Sequence, residues 1–186
     1  ILDQAGIDSV RDPAFLKKYD IIILTENAGA DRTILPAIFR NYLSQYLAGS
    51  GKMVLIGVAG SRDPAAPSID GWIQSGMDAY IPVKCKTALC DANLSVDFSA
   101  FDQVTMKVRN INHPVLKEFG NVVTLTSGQT VEYAIVNAKV EPSAVLEINA
   151  GSNVLSFPAV VEESFGLGGK TVYFAYHPSS TPTLFK

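Results

Sequence analysis

Apolar positions in the first third of the chain follow two rhythms. Residues 20–25, DIIILT, are an unbroken β-branched run, the pattern expected of a strand covered on both faces in a parallel sheet. Leu35, Ile38, Phe39, Tyr42, Leu43, Tyr46 and Leu47 then recur every three or four positions. That spacing predicts a helix starting at Asp31 or Thr33 and stopping at Gly49 and Gly51. A second buried run, KMVLIGV, occupies residues 52–58. Strand, helix, strand in that order predicts a right-handed parallel crossover, and with it an α/β fold with a flavodoxin-like, doubly wound, mainly parallel sheet.

After Gly60 the texture changes. SRDPAAPSIDGW is a loop punctuated by Pro and Gly, and shorter strand-like runs follow at 104–109, 122–126, 131–137, 144–149, 158–164 and 170–176. Their alternation suits antiparallel pairing, so the second half is expected to form a β-rich elaboration of the parallel core. GLGGK (166–170) leads into a strand, whereas phosphate-cradling loops open into a helix; a hairpin turn at Gly168-Gly169 is expected. Residues 1–186 read as one domain. The start, ILDQAGI, resembles the last turns of a helix closed by Gly6, and SSTPTLFK a helix just begun with Pro182 in its first turn. The expectation is a fragment of a longer polypeptide.

The bulk numbers narrow the partners. With 186 residues, 47% hydrophobic and 18% charged, the chain can build one substantial core. A net charge of −3 and the lack of a Lys/Arg-rich run argue against nucleic acid. No apolar run approaches the roughly 20 residues of a bilayer span, so no direct membrane insertion by this segment is expected. Two cysteines, Cys85 and Cys90, and two distant histidines, His113 and His177, fit no zinc spacing; no metal or cofactor is expected. A local Cys85–Cys90 disulfide is favoured over two unlinked thiols, and Asn93-Leu94-Ser95 is a glycosylation candidate. Both features lean toward an extracytoplasmic or cell-surface location, with a cytoplasmic one as the alternative.

YDIIILTENAGADRTILPAIFRNYLSQYLAGSGKMVLIGVAG, together with GGKTVYFAYHPSS, resembles class I glutamine amidotransferase-like domains, the group that includes the DJ-1/PfpI and ThuA-like proteins. The resemblance implies an oxyanion-type loop after the first strand, a cysteine elbow after the second, and a catalytic histidine in a His-Pro-Glu context after the last. Matching Lys52 and Gly60 to the family pattern puts Val58 at the cysteine position, between the inert Gly57 and Ala59. Ser61, the nearby hydroxyl, is displaced by three residues. His177 takes the histidine position, but Ser179 replaces the glutamate that would orient it. In the oxyanion loop Glu26 and Asn27 precede Gly29, and a carboxylate there would repel a developing oxyanion. Cys85 and Cys90 lie too far beyond the elbow to replace the nucleophile.

These departures predict a degenerate member of the group. Its expected role is a non-catalytic scaffold or binding module of a larger, exported or surface-anchored protein. Ligand-binding candidates are Glu26, Asn27, Gly57, Gly60, Ser61 and His177, with His177 otherwise a structural remnant. Partners would be other domains of the same polypeptide, other proteins or a second copy. One alternative is a hydrolase using Ser61 and His177, or a ThuA-like carbohydrate-acting protein; another is a structural subunit of a surface assembly or filament. Elsewhere, His113 is expected to start a helix by way of a turn. Asp63, Asp70 and Asp78 are expected to be solvated, and Glu162-Glu163 to be an exposed edge charge.

Overall fold

A computed structural model describes residues 6–7, 10–25, 34–62, 70–85, 104–125, 136–150 and 152–175. A 3-10 segment, Pro13–Lys18, precedes β1 (Ile21–Thr25), α1 (Ala37–Ala48) and β2 (Lys52–Ile56). A short helix α2 (Gly71–Gln74), a 3-10 turn (Asp78–Tyr80) and β3 (Val83–Cys85) follow. The second half supplies β4 (Val104–Val108), β5 (Val122–Leu125), β6 (Val136–Ala138), β7 (Ala144–Ala150), β8 (Asn153–Phe165) and β9 (Gly169–Phe174).

Seven strands form one mixed sheet in the order β1-β2-β9-β8-β7-β4-β5, and β3 pairs with β6 in a separate two-stranded sheet. β1-β2 and β2-β9 are parallel; the other four pairings are antiparallel. The expectation of a mainly parallel sheet therefore applies to β1, β2 and β9. The β-rich second half does not stand beside that core but extends its hydrogen-bonded ladder, with β9 serving both parts. Connection length explains the switch. Two residues join β7 to β8 and three join β8 to β9, too few for a parallel crossover. The β8-β9 turn is Gly166–Gly168, one residue earlier than expected, with positive φ at Gly166 and Gly168.

α1 begins after Pro36, later than its apolar spacing predicts, and residues 34–36 are not helical. A residue before proline is pushed out of the α region, so Leu35 cannot continue a helix from Asp31 or Thr33. Arg40 secures the start instead: its Nε donates to Leu35 O at 2.7 Å and its Nη1 to Ser75 O. At the other end Tyr46 ties the helix to both neighbouring strands. Its hydroxyl lies 3.1 Å from Tyr19 O and Asp20 O and accepts from Lys52 N at 3.2 Å. Gly169 lets β9 pass beneath α1, because a Cβ there would lie 1.8 Å from Leu47 O.

Met53, Leu55, Thr171, Tyr173 and Val161 are buried, and side chains in register across a sheet share a face. α1 touches β2 and β9, so this is the face it covers. The opposite face opens at β1, where Ile21 and Ile23 are 52% and 63% exposed. Coverage of DIIILT on both faces, expected from its composition, does not hold; β1 is an edge strand with one covered face. β-branched residues satisfy strand geometry whether or not the second face is packed.

Candidate functional site

Thr25, Ile56 and Phe174 end three parallel strands in register, so the carboxyl ends of β1, β2 and β9 lie along one edge of the sheet. Ligands of open α/β sheets bind at such an edge. β2 ends two residues earlier than KMVLIGV suggests, because Gly57 takes φ 66 and turns the chain. Gly57 N still donates to Phe174 O at 2.9 Å, and Ser61 N closes the turn on Val58 O at 3.0 Å. Gly60, at φ 72, provides the second left-handed residue.

The turn is clamped from one side. Trp72 Nε1 donates to Ala59 O at 2.9 Å, and Gly71 N to Ser61 O at 2.7 Å. A Cβ on Gly71 would lie 2.4 Å from Ser61 O, so glycine is required for this approach. Asp70 holds the clamp. One carboxylate oxygen caps α2 by accepting from Trp72 N at 2.9 Å, and the other accepts from Cys85 N at 2.7 Å. Asp70 is 3% exposed, which corrects the expectation of a solvated acid; two backbone amides replace water around its charge. Asp78 is half-exposed and paired with Lys139, and Asp63 lies outside the described residues.

Gly57, Val58, Gly60 and Ser61 thus come together in one turn. Val58 is 3% exposed and offers no nucleophile. Ser61 is 1% exposed, and its hydroxyl has no hydrogen-bond partner among the described residues. Arg40, Leu35, Ala59, Gly60, Trp72 and Met77 line a cavity of about 10 Å³, room for no more than about one water. Glu26 and Asn27 follow β1 in sequence, and His177 and Ser179 follow β9; all four lie outside the described residues, as do Cys90 and Asn93. Cys85 ends β3 in a buried position. Among the described residues no group of three or more potential ligands could hold a metal ion.

A second polar cluster escapes the sequence reading. His113 is 3% exposed, within a run of turns between β4 and β5 rather than at the start of a helix. Its Nδ1 accepts from Val115 N at 3.3 Å, which assigns the ring proton to Nε2, 3.0 Å from Glu162 Oε2. Lys170 Nζ donates to the other carboxylate oxygen at 2.7 Å. Glu162 and Glu163 lie on the part of β8 that pairs with β9 alone, opposite Val172 and Thr171, since β7 pairs with β8 only as far as Val160; they are half-buried rather than exposed. The cluster fastens the 109–121 connection to the sheet. Burial leaves His113 no room to act on a substrate. Asp70 could have been found: Asp ahead of Gly-Trp is an N-cap pattern. Nothing in the sequence brings His113 near Glu162.

No family model matches the chain, and no curated sequence matches it. Its structure resembles those of the cytoplasmic proteins STM3548 and STM1381 from Salmonella typhimurium, with TM-scores of 0.58 and 0.57 at 13% and 14% identity. These matches cover 92% and 91% of this chain and 66% and 65% of those proteins. Gan42B, a GH42 β-galactosidase from G. stearothermophilus, matches at TM-score 0.55 and 14% identity over 87% of this chain. The matched part is 19% of Gan42B. At such identities the likeness is one of α/β fold alone.

Proposed function

We propose that the chain is a non-catalytic glutamine amidotransferase-like domain with a flavodoxin-like parallel core, serving as a scaffold or binding module within a larger protein. The observation that carries this reading is Val58, buried in the turn after β2 where the group's nucleophile would project. The turn then leads into an isolated bridge, Arg62 with Asp70, where a nucleophile elbow would open a helix. Ser61, the nearest hydroxyl, is buried. The occurrence of a similar fold as a minor part of Gan42B is compatible with a module of this kind. Cys85 and Cys90 form a local disulfide in this reading, and the domain works outside the cytoplasm.

Amidase, glutaminase and esterase substrates, assayed with the native protein and with His177→Ala and Ser61→Ala, test the proposal. The expected result is no turnover above the variants. Turnover abolished by either substitution overturns it and restores the hydrolase alternative. Mass spectrometry of non-reduced peptides, showing Cys85 and Cys90 joined or separate, tests the disulfide.

A further inference from the structure

Charges, prolines and bulges are the devices that keep an outermost strand from pairing further. β1 has none of them: Ile21–Thr25 contains neither charge nor proline, and its register with β2 runs without a shift. Uninterrupted apolar runs of this kind belong to parallel strands covered on both faces. Yet β1 is the outermost strand of its sheet, and no described strand pairs with it on the outer side. The face turned away from α1 is open at the same place. Register sets Ile21 beside Lys52, and Ile23 beside Val54 and, across β2, Val172. Ile21 and Ile23 are more than half exposed, and Val54 and Val172 are half-buried.

We infer that the outer edge of β1 receives a further strand, apolar and parallel to it, supplied by the larger protein together with a segment that covers Ile21 and Ile23. The inference rests on the reading of the chain as part of a larger protein. The direction of the added strand follows from its neighbours: β1, β2 and β9 all run parallel. A second copy related by two-fold symmetry would instead pair β1 with itself antiparallel. A parallel neighbour is reached through a crossover of about a dozen residues or more, which packs on a face of the sheet. The face beside Ile21 and Ile23 stands open for it, since α1 covers the other. Charge adds a further requirement. Lys52 lies exposed on that open face and forms no ion pair among the described residues, so the covering segment brings an acid to it.

The test is residue-resolved amide hydrogen exchange on the full-length native polypeptide, with its intact mass measured alongside. In an outermost strand alternate amides point away from the sheet and exchange fast. The expected result is slow exchange at Ile21, Ile22, Ile23 and Leu24 in succession, unchanged on about tenfold dilution. Ile23→Lys sets a charge beneath the covering segment and speeds the exchange of these amides by about tenfold or more. Alternating fast and slow amides overturn the inference, and they decide it even where Ile23→Lys fails to fold. A folded Ile23→Lys variant with unchanged exchange overturns it as well. Protection lost on dilution overturns it in favour of a second copy. An intact mass equal to that of residues 1–186 refutes the larger-protein reading itself, whereas a longer polypeptide with alternating amides leaves that reading standing and removes only the added strand.

Discussion

Asp70→Ala removes the carboxylate that holds α2, β3 and the β2 turn in one arrangement. The structure sets the size of the effect through two bonds. Loss of the N-cap acceptor for Trp72 N costs about 1 kcal/mol. Cys85 N, 2.7 Å from the other oxygen and buried, is left unpaired at a cost of about 1–3 kcal/mol. The expected loss is about 3 kcal/mol, which for a chain of this length lowers the midpoint of thermal unfolding by about 6–12 °C. Asp70→Asn separates the two contributions. Its amide oxygen can still cap α2, but its NH₂ group then faces Cys85 N–H, donor to donor, so it should lose about half as much. Urea unfolding followed by fluorescence of the single tryptophan, Trp72, and independently by far-ultraviolet circular dichroism, measures both variants. A loss below about 1 kcal/mol for Asp70→Ala would refute the reasoning, because a buried acid that contributes so little cannot be organising the clamp. An Asn variant as stable as the native protein would show that the Cys85 bond contributes nothing.

Gly169→Ala drives a Cβ into the Leu47 carbonyl at 1.8 Å and should cost about 3 kcal/mol or more, read as a lower urea midpoint or loss of soluble protein. Ser50 holds φ 94, which side chains other than glycine's rarely adopt, so Ser50→Gly should raise stability by about 1 kcal/mol in the same assay. Tyr46→Phe deletes the hydroxyl shared by Tyr19, Asp20 and Lys52 and should cost about 1–2 kcal/mol, with faster exchange of the Lys52 amide. Glu162→Ala strands the buried His113 N–H and should cost about 2 kcal/mol, whereas Lys170→Met, removing a half-exposed partner, should cost about 1 kcal/mol or less. Equal losses from those two variants would contradict the assignment of the buried contact to His113.

Local chemistry made several elements legible. DIIILT and KMVLIGV announced two strands, the heptad-like spacing from Ile38 to Leu47 announced α1, and four of the six strand runs in the second half lie within or overlap β4, β5, β7 and β9 almost residue for residue. Boundaries moved where backbone preferences overrode hydrophobicity: Pro36 delays α1, and Gly57 ends β2 before Val58. β3 was missed, since three residues carry too little periodicity to register. PAVVEES covered only part of β8, because NVLSF, before it, is exposed and lacks a buried alternation.

The candidate site divides in the same way. The sequence by itself determined that Val58 cannot be a nucleophile and that Gly57 and Gly60 flank it, because side-chain chemistry and glycine's conformational freedom are properties of single residues. It also determined that strands flank one helix in the first third, because burying an amphipathic helix on an apolar strand pair is a local solution. Only the tertiary structure decided that β9, remote in sequence, runs parallel beside β2, and that Asp70 is a buried hub rather than a solvated acid. It also decided that His113 meets Glu162 across 49 positions. Such pairings depend on which surfaces remain to be covered once the sheet has formed, and that is set by the packing of the whole chain rather than by any window of it.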